Sequence, residues 1–201
     1  MMKKSSVRLK NRIFSEVISF LEIGLISAFV MTLIFTYIMK ISTVEGESMM
    51  NTLAEGDTVI ASVMYSEPEN GDIVIINAYE SVVLNAYSQP QFGEGLNKQI
   101  VKRIIATEGQ TVNIDFSKGI VYVDGQALDE PYVSSLTHLD EGAFTGKYPV
   151  TVPDGYVFVM GDNRSVSKDS RSAEIGFVSV DDIVGKVVFR FLPLNKIGFV
   201  D

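Results

Sequence analysis

The sequence has no cysteine and a single histidine, His138. Without cysteine, the chain has no thiol nucleophile and no disulfide to hold an exported domain together. One histidine excludes a zinc site built from several histidines. A serine–histidine–aspartate arrangement would depend entirely on His138. That residue lies in the polar stretch "SLTHLDEG", where a lone histidine is more often a surface residue, so the sequence favours a base other than histidine.

Positive charge is also scarce, and its distribution is uneven. The chain has 17 lysines and arginines against 25 acidic residues, which gives a net charge of −8. This balance argues against nucleic acid as a partner, because phosphate binding needs a basic face. After Lys40 the next basic residue is Lys98. The basic side chains that crowd the N-terminus are Lys3, Lys4, Arg8, Lys10 and Arg12.

A long apolar run, "IFSEVISFLEIGLISAFVMTLIFTYIM" at residues 13–39, follows these basic residues. At about 1.5 Å of rise per residue, such a helix spans a hydrocarbon core of about 30 Å. A buried core helix is one alternative, but the length and the basic flank favour a membrane helix. A cleavable signal peptide would have an apolar region of about 7–15 residues before a small-x-small site. The following "MKISTVEGES" contains no Ala-x-Ala sequence.

We therefore predict three segments along the chain. Residues 1–12 form a cytoplasmic basic tail, residues 13–39 an uncleaved transmembrane anchor, and residues 40–201 an extracytoplasmic domain. The orientation follows from the excess of basic residues on the N-terminal side of the anchor. The expected localisation is the cell membrane, as a single-pass protein with its N-terminus in the cytoplasm.

Short β-branched runs separated by turn residues follow the anchor. The runs "DTVIASVMY" and "GDIVIINAY" flank the turn cluster "SEPEN", while "SKG" and "DG" supply hairpin-like turns farther along. The alternation is lost in residues 126–149, an irregular excursion, and returns in "VTVPDGYVFVM". The pattern predicts a mainly β fold of coiled antiparallel sheets rather than a parallel α/β fold.

One lysine in these runs is a candidate base. Lysine can replace histidine only if it is neutral at the working pH, which requires burial or a nearby cation. In "IVKRII", strand alternation places Lys102 on one face with Ile100 and Ile104. An edge-strand lysine that discourages aggregation explains this stretch equally well. Lys102 is therefore a candidate that needs a partner.

A candidate nucleophile lies in "VEGESMMNTL", residues 44–53, soon after the apolar run. Gly46 gives the backbone beside Ser48 conformational freedom and lets a substrate approach closely. Met49 and Met50 offer a flexible apolar surface next to the hydroxyl. A serine in a glycine-containing turn is common, so this stretch alone does not distinguish a nucleophile from a polar turn residue.

A third stretch, "MGDNRSVSKDSR", follows the apolar "YVFV" and is dense in hydrogen-bonding groups. A polar loop would explain it. Several convergent polar groups directly after a core strand are more typical of the shell that supports a functional site. The residues suited to a tight turn and to an ion pair in this stretch are Asp162, Asn163, Arg164, Asp169 and Arg171.

Taken in order, these stretches resemble the bacterial type I signal peptidases of the Gram-positive type. These are membrane-bound serine–lysine proteases that remove signal peptides. The shared features are a basic tail, an anchor, and the blocks S-M-x-x-T-L, G-D-I-V, K-R and G-D-N-R-x-x-S-x-D-S-R. The last block is complete, and the resemblance covers essentially the whole chain.

The resemblance implies that Ser48 is the nucleophile and Lys102 the general base, with no metal or cofactor. Ser167 matches a serine that orients the lysine. Gly46 stands where some relatives have a serine hydroxyl in the oxyanion hole, so the N–H of Ser48 would bear more of that role, with Met49 in the substrate-binding surface. The implied supporting residues are Arg103, Asp162, Asn163, Arg164, Asp169 and Arg171.

The resemblance also implies the fold and the partners. The catalytic core would consist of coiled antiparallel sheets, with residues 126–149 in an outer extension. The signal peptides of secreted preproteins, with small residues at −1 and −3, would bind in extended form beside strands. The other implied partners are the lipid bilayer and, for a dedicated peptidase, the secretion translocon or pilus subunits.

Three features depart from the family pattern. Asn51 stands where proline is usual, Asn70 where arginine is common, and "ATEGQ" replaces "GLPGD". One alternative is a non-catalytic, signal-peptidase-like factor that assists the assembly of surface fibres, for which Ser48 and Lys102 would be dispensable. Another is a soluble self-cleaving repressor with the same pair of residues, which the anchor and the acidic charge balance disfavour.

Overall fold

The computed structural model describes residues 2–65, 67–85, 87 and 89–200, with side chains from residue 14 onward. The chain divides into two compact units, Met1–Met39 and Lys40–Asp201.

The first unit is a single helix, α1, which spans Met2–Tyr37. Its part Phe14–Tyr37, 24 residues with a mean hydropathy of 2.3, is long and apolar enough to cross a membrane. The helix ends two residues before the end of the predicted anchor. It begins at Met2, so the segment predicted as a basic tail is helical and continuous with the apolar part.

The second unit is built from β-strands. In chain order they are β1 Met39–Thr43, β2 Thr58–Ser62, β3 Ile73–Leu84, β4 Pro90–Ala106, β5 Thr111–Asp115, β6 Ile120–Val123, β7 Gln126–Ala127, β8 Val150–Thr151, β9 Tyr156–Met160, β10 Val178–Ser179, β11 Ile183–Leu192 and β12 Gly198–Phe199. Two 3₁₀ turns, Val180–Asp182 and Leu194–Lys196, flank β11.

These strands form two sheets. The larger has eight strands in the order β1-β2-β11-β3-β4-β9-β10, with β12 added to β11. The smaller has the order β7-β6-β5-β8. The strand pairs β2–β11, β3–β11, β3–β4, β4–β9 and β5–β6 are all antiparallel. The prediction of a mainly β fold with antiparallel sheets is confirmed.

Three apolar clusters form the core, and two of them include neighbours of the candidate site residues. One cluster contains Ile100 and Ile104 of β4, on either side of Lys102 in the alternation. A second contains Met49 and Leu53, which follow Ser48 in the chain. Burial of apolar side chains therefore fixes both stretches, because each buried residue of this size contributes about 1.5–3 kcal/mol to folding.

The third cluster joins the smaller sheet to the irregular excursion. Phe144 is fully buried there, and its ring centroid lies 4.7 Å from that of Phe177. Between β7 and β8, residues 128–149 contain neither a strand nor a helix. Hydrogen bonds such as that from Ala143 N to Arg171 O, 2.9 Å, attach the segment to the rest of the domain.

Candidate active site

The long strand β4 places Lys102 in the interior of the larger sheet, where it pairs with Val74 of β3. Its side chain is 3% exposed. The Nζ atom donates hydrogen bonds to Ser48 Oγ at 2.7 Å and to the carbonyl oxygen of Val101 at 2.9 Å. Two side chains that are 54 positions apart in the sequence are thus in direct contact.

The electrostatic environment of Lys102 favours its neutral form. Burial is the main reason why the pKa of Lys102 falls from 10.5 to about 8. Lys98 and Arg171 lower this pKa further, whereas Asp169 and Asp162 act in the opposite direction. A lysine with this pKa is partly neutral at mildly alkaline pH, and it can then accept a proton from a neighbouring hydroxyl.

Ser48 lies in a turn that is fixed on both sides. Gly46 has φ +78°, a backbone conformation that side chains other than glycine rarely adopt. On the other side, Leu53 N donates to Met49 O at 2.8 Å, and both of these side chains are buried in the core. The structure therefore places Met49 beneath the turn, while Met50 remains exposed beside it.

The loop after β9 approaches the same turn. Asn163 N donates to Ser48 O at 3.0 Å, and Asn163 Nδ2 donates to Glu47 O at 3.2 Å. Gly161 permits this approach, because a Cβ at that position would lie 2.5 Å from Ser48 O and would also collide with the side chain of Ser167. The backbone at Glu47 and Ser48 is thus held by two hydrogen bonds from Asn163.

Two buried ion pairs surround the contact between Ser48 and Lys102. Arg103 forms a bidentate pair with Asp162, with Nε–Oδ1 and Nη2–Oδ2 distances of 2.9 Å. Arg171 forms a second with Asp169, at 2.8 Å for both bonds. Burial acts to raise the pKa of Asp169, but hydrogen bonds and the charge of Arg171 hold it below its ordinary value. The Asp169 carboxylate therefore remains charged.

Comparisons with known proteins identify relatives of this chain. The family described as "Signal peptidase, peptidase S26" matches residues 17–192. Signal peptidase IB of Staphylococcus aureus is 32% identical over 172 residues, which cover 78% of this chain and 80% of that protein. The probable signal peptidase I-1 of Synechocystis sp. is 32% identical over 158 residues, covering 77% and 72%.

The chain belongs to the signal peptidase family. A peptidase that removes signal peptides is the function that this membership supports, and the predicted resemblance to bacterial type I signal peptidases is confirmed. The thylakoidal processing peptidase 1 of Arabidopsis thaliana is 35% identical over 159 residues, covering 78% of this chain and 43% of that protein. The crystal structure of a signal peptidase I from Enterococcus faecalis matches 60% of this chain and 97% of its own, with 25% identity and a TM-score of 0.44.

A groove of about 560 Å³ opens at the contact between Ser48 and Lys102. One wall is formed by the end of β1 and the turn that carries Ser48, and the other by residues 98–102 and Leu96 of β4. Among the described residues, no cluster of three or more histidine, aspartate or glutamate side chains is arranged to bind a metal ion.

Not every predicted site residue forms a hydrogen bond with Lys102. The hydrogen bonds of Lys102 Nζ to described residues go to Ser48 and Val101, and Ser167 takes part in neither. Ser167 is fully buried next to Gly161, and its hydroxyl has no hydrogen-bond partner among the described residues. His138 is exposed, and its Nδ1 lies 2.9 Å from the carbonyl oxygen of Phe116.

Sequence reasoning missed several residues of the site. Thr52 donates a short hydrogen bond to Asp162. From the irregular excursion, Glu130 forms an ion pair with Arg164, and the ring of Tyr132 lies under the guanidinium of Arg103. The resemblance implies Arg103 and Arg164 as supporting residues, but no local pattern in "LDEPYV" marks the side chains of Glu130 and Tyr132 as their partners.

Proposed function

We propose that this chain is a membrane-anchored endopeptidase that removes N-terminal signal peptides with Ser48 as nucleophile and Lys102 as general base. The observation that carries the proposal is the 2.7 Å contact between Ser48 Oγ and Lys102 Nζ in a groove. The low pKa of the buried lysine, about 8, supports the role of base.

Acylation begins with neutral Lys102. Its Nζ accepts the proton of the Ser48 hydroxyl while Oγ attacks the carbonyl carbon of the scissile peptide bond. The ammonium formed then gives this proton to the nitrogen of the leaving group. The C–N bond breaks, and the mature protein leaves with a free amino terminus. The signal peptide remains bound to Ser48 as an ester.

Deacylation uses the same pair of groups. Lys102 takes a proton from a water molecule that attacks the ester carbonyl, and then returns a proton to Ser48 Oγ as the C–O bond breaks. The signal peptide leaves with a free carboxylate. Asp162 and Asp169, each paired with an arginine, stabilise the protonated lysine between these steps, because both raise its pKa.

The N–H of Ser48 is a suitable donor for the oxyanion. It forms no hydrogen bond with any described residue, so it can point a hydrogen at a substrate oxygen. Gly46 has no side chain to contribute a second donor, and a Cβ at this position would meet no atom within 4 Å. The proposal therefore assigns most of the oxyanion stabilisation to one main-chain group.

The groove suits an extended peptide. Its walls are stretches of β1 and β4, whose main-chain groups can pair with a third strand, while alternate side chains of the peptide enter the groove. We propose preproteins with small residues at −1 and −3 as substrates. Lipid contact through α1, an N-terminus in the cytoplasm, and association with the translocon or with pilus subunits belong to the same proposal.

The test is cleavage of a preprotein by the full-length chain in detergent. The wild type should release the mature protein, and both Ser48→Ala and Lys102→Ala should reduce kcat by at least about a thousandfold. Ser117→Ala and Lys118→Ala are matched controls, because both residues are exposed in a turn of the smaller sheet. These controls should cleave as the wild type does.

The same experiment separates the peptidase from an assembly factor. A non-catalytic factor would leave preproteins intact in all five preparations, and its Ser48→Ala variant would still support the assembly of surface fibres in cells. Cleavage that persists in Lys102→Ala would contradict the proposed base. The pH dependence gives a further check, because kcat should rise with pH around the lysine pKa of about 8.

A further inference from the structure

Residues 128–143, which we name the strap, contact the catalytic region from the irregular excursion. The strap is attached to the smaller sheet, where Thr137 N donates to Gly119 O at 3.0 Å. A Cβ at Gly119 would lie 2.5 Å from Leu136 Cβ, so only glycine permits this close approach. The strap therefore holds a defined position, although it has no regular secondary structure.

The first contact of the strap is a cation–π interaction. The Cζ atom of Arg103 lies 4.0 Å from the ring centroid of Tyr132, and the arginine is 3% exposed. A desolvated contact of this kind is worth about 2 kcal/mol. The Tyr132 hydroxyl also donates to Glu130 Oε1 at 3.3 Å. The ring of Tyr132 thus covers one face of the Arg103 guanidinium.

The orientation of Arg103 is transmitted to the serine. Arg103 binds both oxygens of Asp162, and Nη1 donates to Gly71 O at 2.8 Å. Asp162 accepts a hydrogen bond from Thr52, four residues after Ser48. The next residue, Asn163, holds the carbonyl oxygen of Ser48. A displaced guanidinium would therefore move the turn of the nucleophile relative to Lys102.

The second contact of the strap is with Arg164, in the loop that follows β9. Arg164, which is 1% exposed, donates to Thr137 Oγ1 at 2.7 Å and to both carboxylate oxygens of Glu130. Its Nε donates to Gly161 O at 3.1 Å. Glu130 and Thr137 are both strap residues, so the loop that approaches Ser48 is fixed from the strap by a buried, charge-assisted set of hydrogen bonds.

We propose that Tyr132 and Glu130 are positioning residues of the peptidase. The strap holds Arg103 and Arg164, and these two arginines set the distance between the Ser48 hydroxyl and Lys102. Among the described residues, neither Tyr132 nor Glu130 forms a hydrogen bond or an ion pair with a residue that lines the groove. The proposal rests on the proposed function, because it concerns the rate of the serine–lysine reaction.

The test compares variants of Tyr132 in the full-length chain. Tyr132→Leu removes the ring face and should lower kcat about tenfold with KM unchanged, since small displacements of reacting groups are costly. Tyr132→Phe keeps the ring and should retain kcat within about twofold. Tyr122→Leu, at a half-buried tyrosine of β6, is the matched control for the general loss of an aromatic side chain and should keep the wild-type kcat.

A double variant tests whether Tyr132 acts through Arg103. Arg103→Lys keeps the charge but loses the planar group, so adding Tyr132→Leu to it should reduce kcat little further. If Tyr132→Leu does not fold, Glu130→Gln decides the matter. It keeps the shape of the side chain, loses the charge opposite Arg164, and should lower kcat several-fold at constant KM.

Three results would overturn the proposal: an unchanged kcat in Tyr132→Leu, an equal fall in Tyr122→Leu, or a change confined to KM. The wild type and Ser48→Ala report on the proposed function in the same assay. If the wild type cleaves nothing, the proposed function fails and the strap proposal fails with it. If the wild type cleaves and Tyr132→Leu matches it, only the strap proposal fails.

Discussion

Lys102, the residue proposed as the base, lowers the stability of the domain. Lys102 is almost completely buried, and its pKa in the folded protein is about 8, against 10.5 for the ordinary side chain. Below pH 8 the side chain is protonated in both the folded and the unfolded state, so folding must bury a charge. The shift corresponds to a cost of about 3 kcal/mol under these conditions.

Replacement of this lysine by an apolar side chain should therefore stabilise the domain. At pH 7, Lys102→Met should raise the free energy of unfolding by up to about 3 kcal/mol. The advantage should shrink as the pH rises from about 8 and vanish above 10.5, where the lysine is neutral in both states. Thermal or denaturant unfolding at several pH values measures the difference.

Lys118→Met is the control for this prediction, because Lys118 is exposed and pairs with Asp115 in a surface turn. It should show no gain at pH 7. A stability difference between Lys102→Met and the wild type that stays constant from pH 7 to alkaline pH would contradict the assigned shift.

The strand β4 brings two lysines to one groove. Lys98 and Lys102 are four positions apart on the strand and both line the groove. The charge of Lys98 helps to lower the pKa of Lys102. Alternation places the two side chains on the same face, so the strand itself supplies a cation close to the base.

Lys98→Gln should move the pH dependence of kcat/KM toward higher pH, because loss of the neighbouring charge stabilises protonated Lys102. Lys98→Glu should move it farther in the same direction. Since Lys98 is exposed, added salt should reduce both shifts. Lys118→Gln serves as the control, and an unchanged or lower midpoint in Lys98→Gln would contradict the argument.

The face of β4 that carries Lys102 could be predicted from sequence, because alternation of apolar residues is a local property. The length of the strand could not. The run "KQIVKRIIA" predicts a strand over residues 98–106, whereas β4 begins at Pro90 and pairs with β3 as far as Leu84. Pro90 and Gly93 suggest a loop when taken alone, but pairing with Leu84 and Ser81 of β3 holds them in extended form.

The contacts of the strap could not be predicted from sequence, for a different reason. The loop residue Arg164 could be identified by family resemblance, but its partner Glu130 lies 34 positions away. No periodicity relates the two positions, and residues 128–149 lack the alternation that locates a strand. Contacts between irregular segments depend on the folded path of the whole domain, and only the structure supplies that path.

The absence of cysteine makes the proposed membrane topology directly measurable. Single cysteines introduced by Lys4→Cys and Ser117→Cys would be the only thiols in the chain. With a membrane-impermeant maleimide on intact cells, Ser117→Cys should react, and Lys4→Cys should react only after permeabilisation. The unmodified protein is the blank, and the reverse pattern would invert the proposed orientation.

The strand order determines when a newly synthesised chain can complete its central sheet. β11 lies between β2, which follows the turn of Ser48, and β3, which pairs with the strand of Lys102. The strands next to the two halves of the site are therefore joined through residues 183–192. A nascent polypeptide contains Ser48 and Lys102 before the strand that completes its central sheet has been made. We expect a chain truncated before residue 183 to lack the proposed peptidase activity.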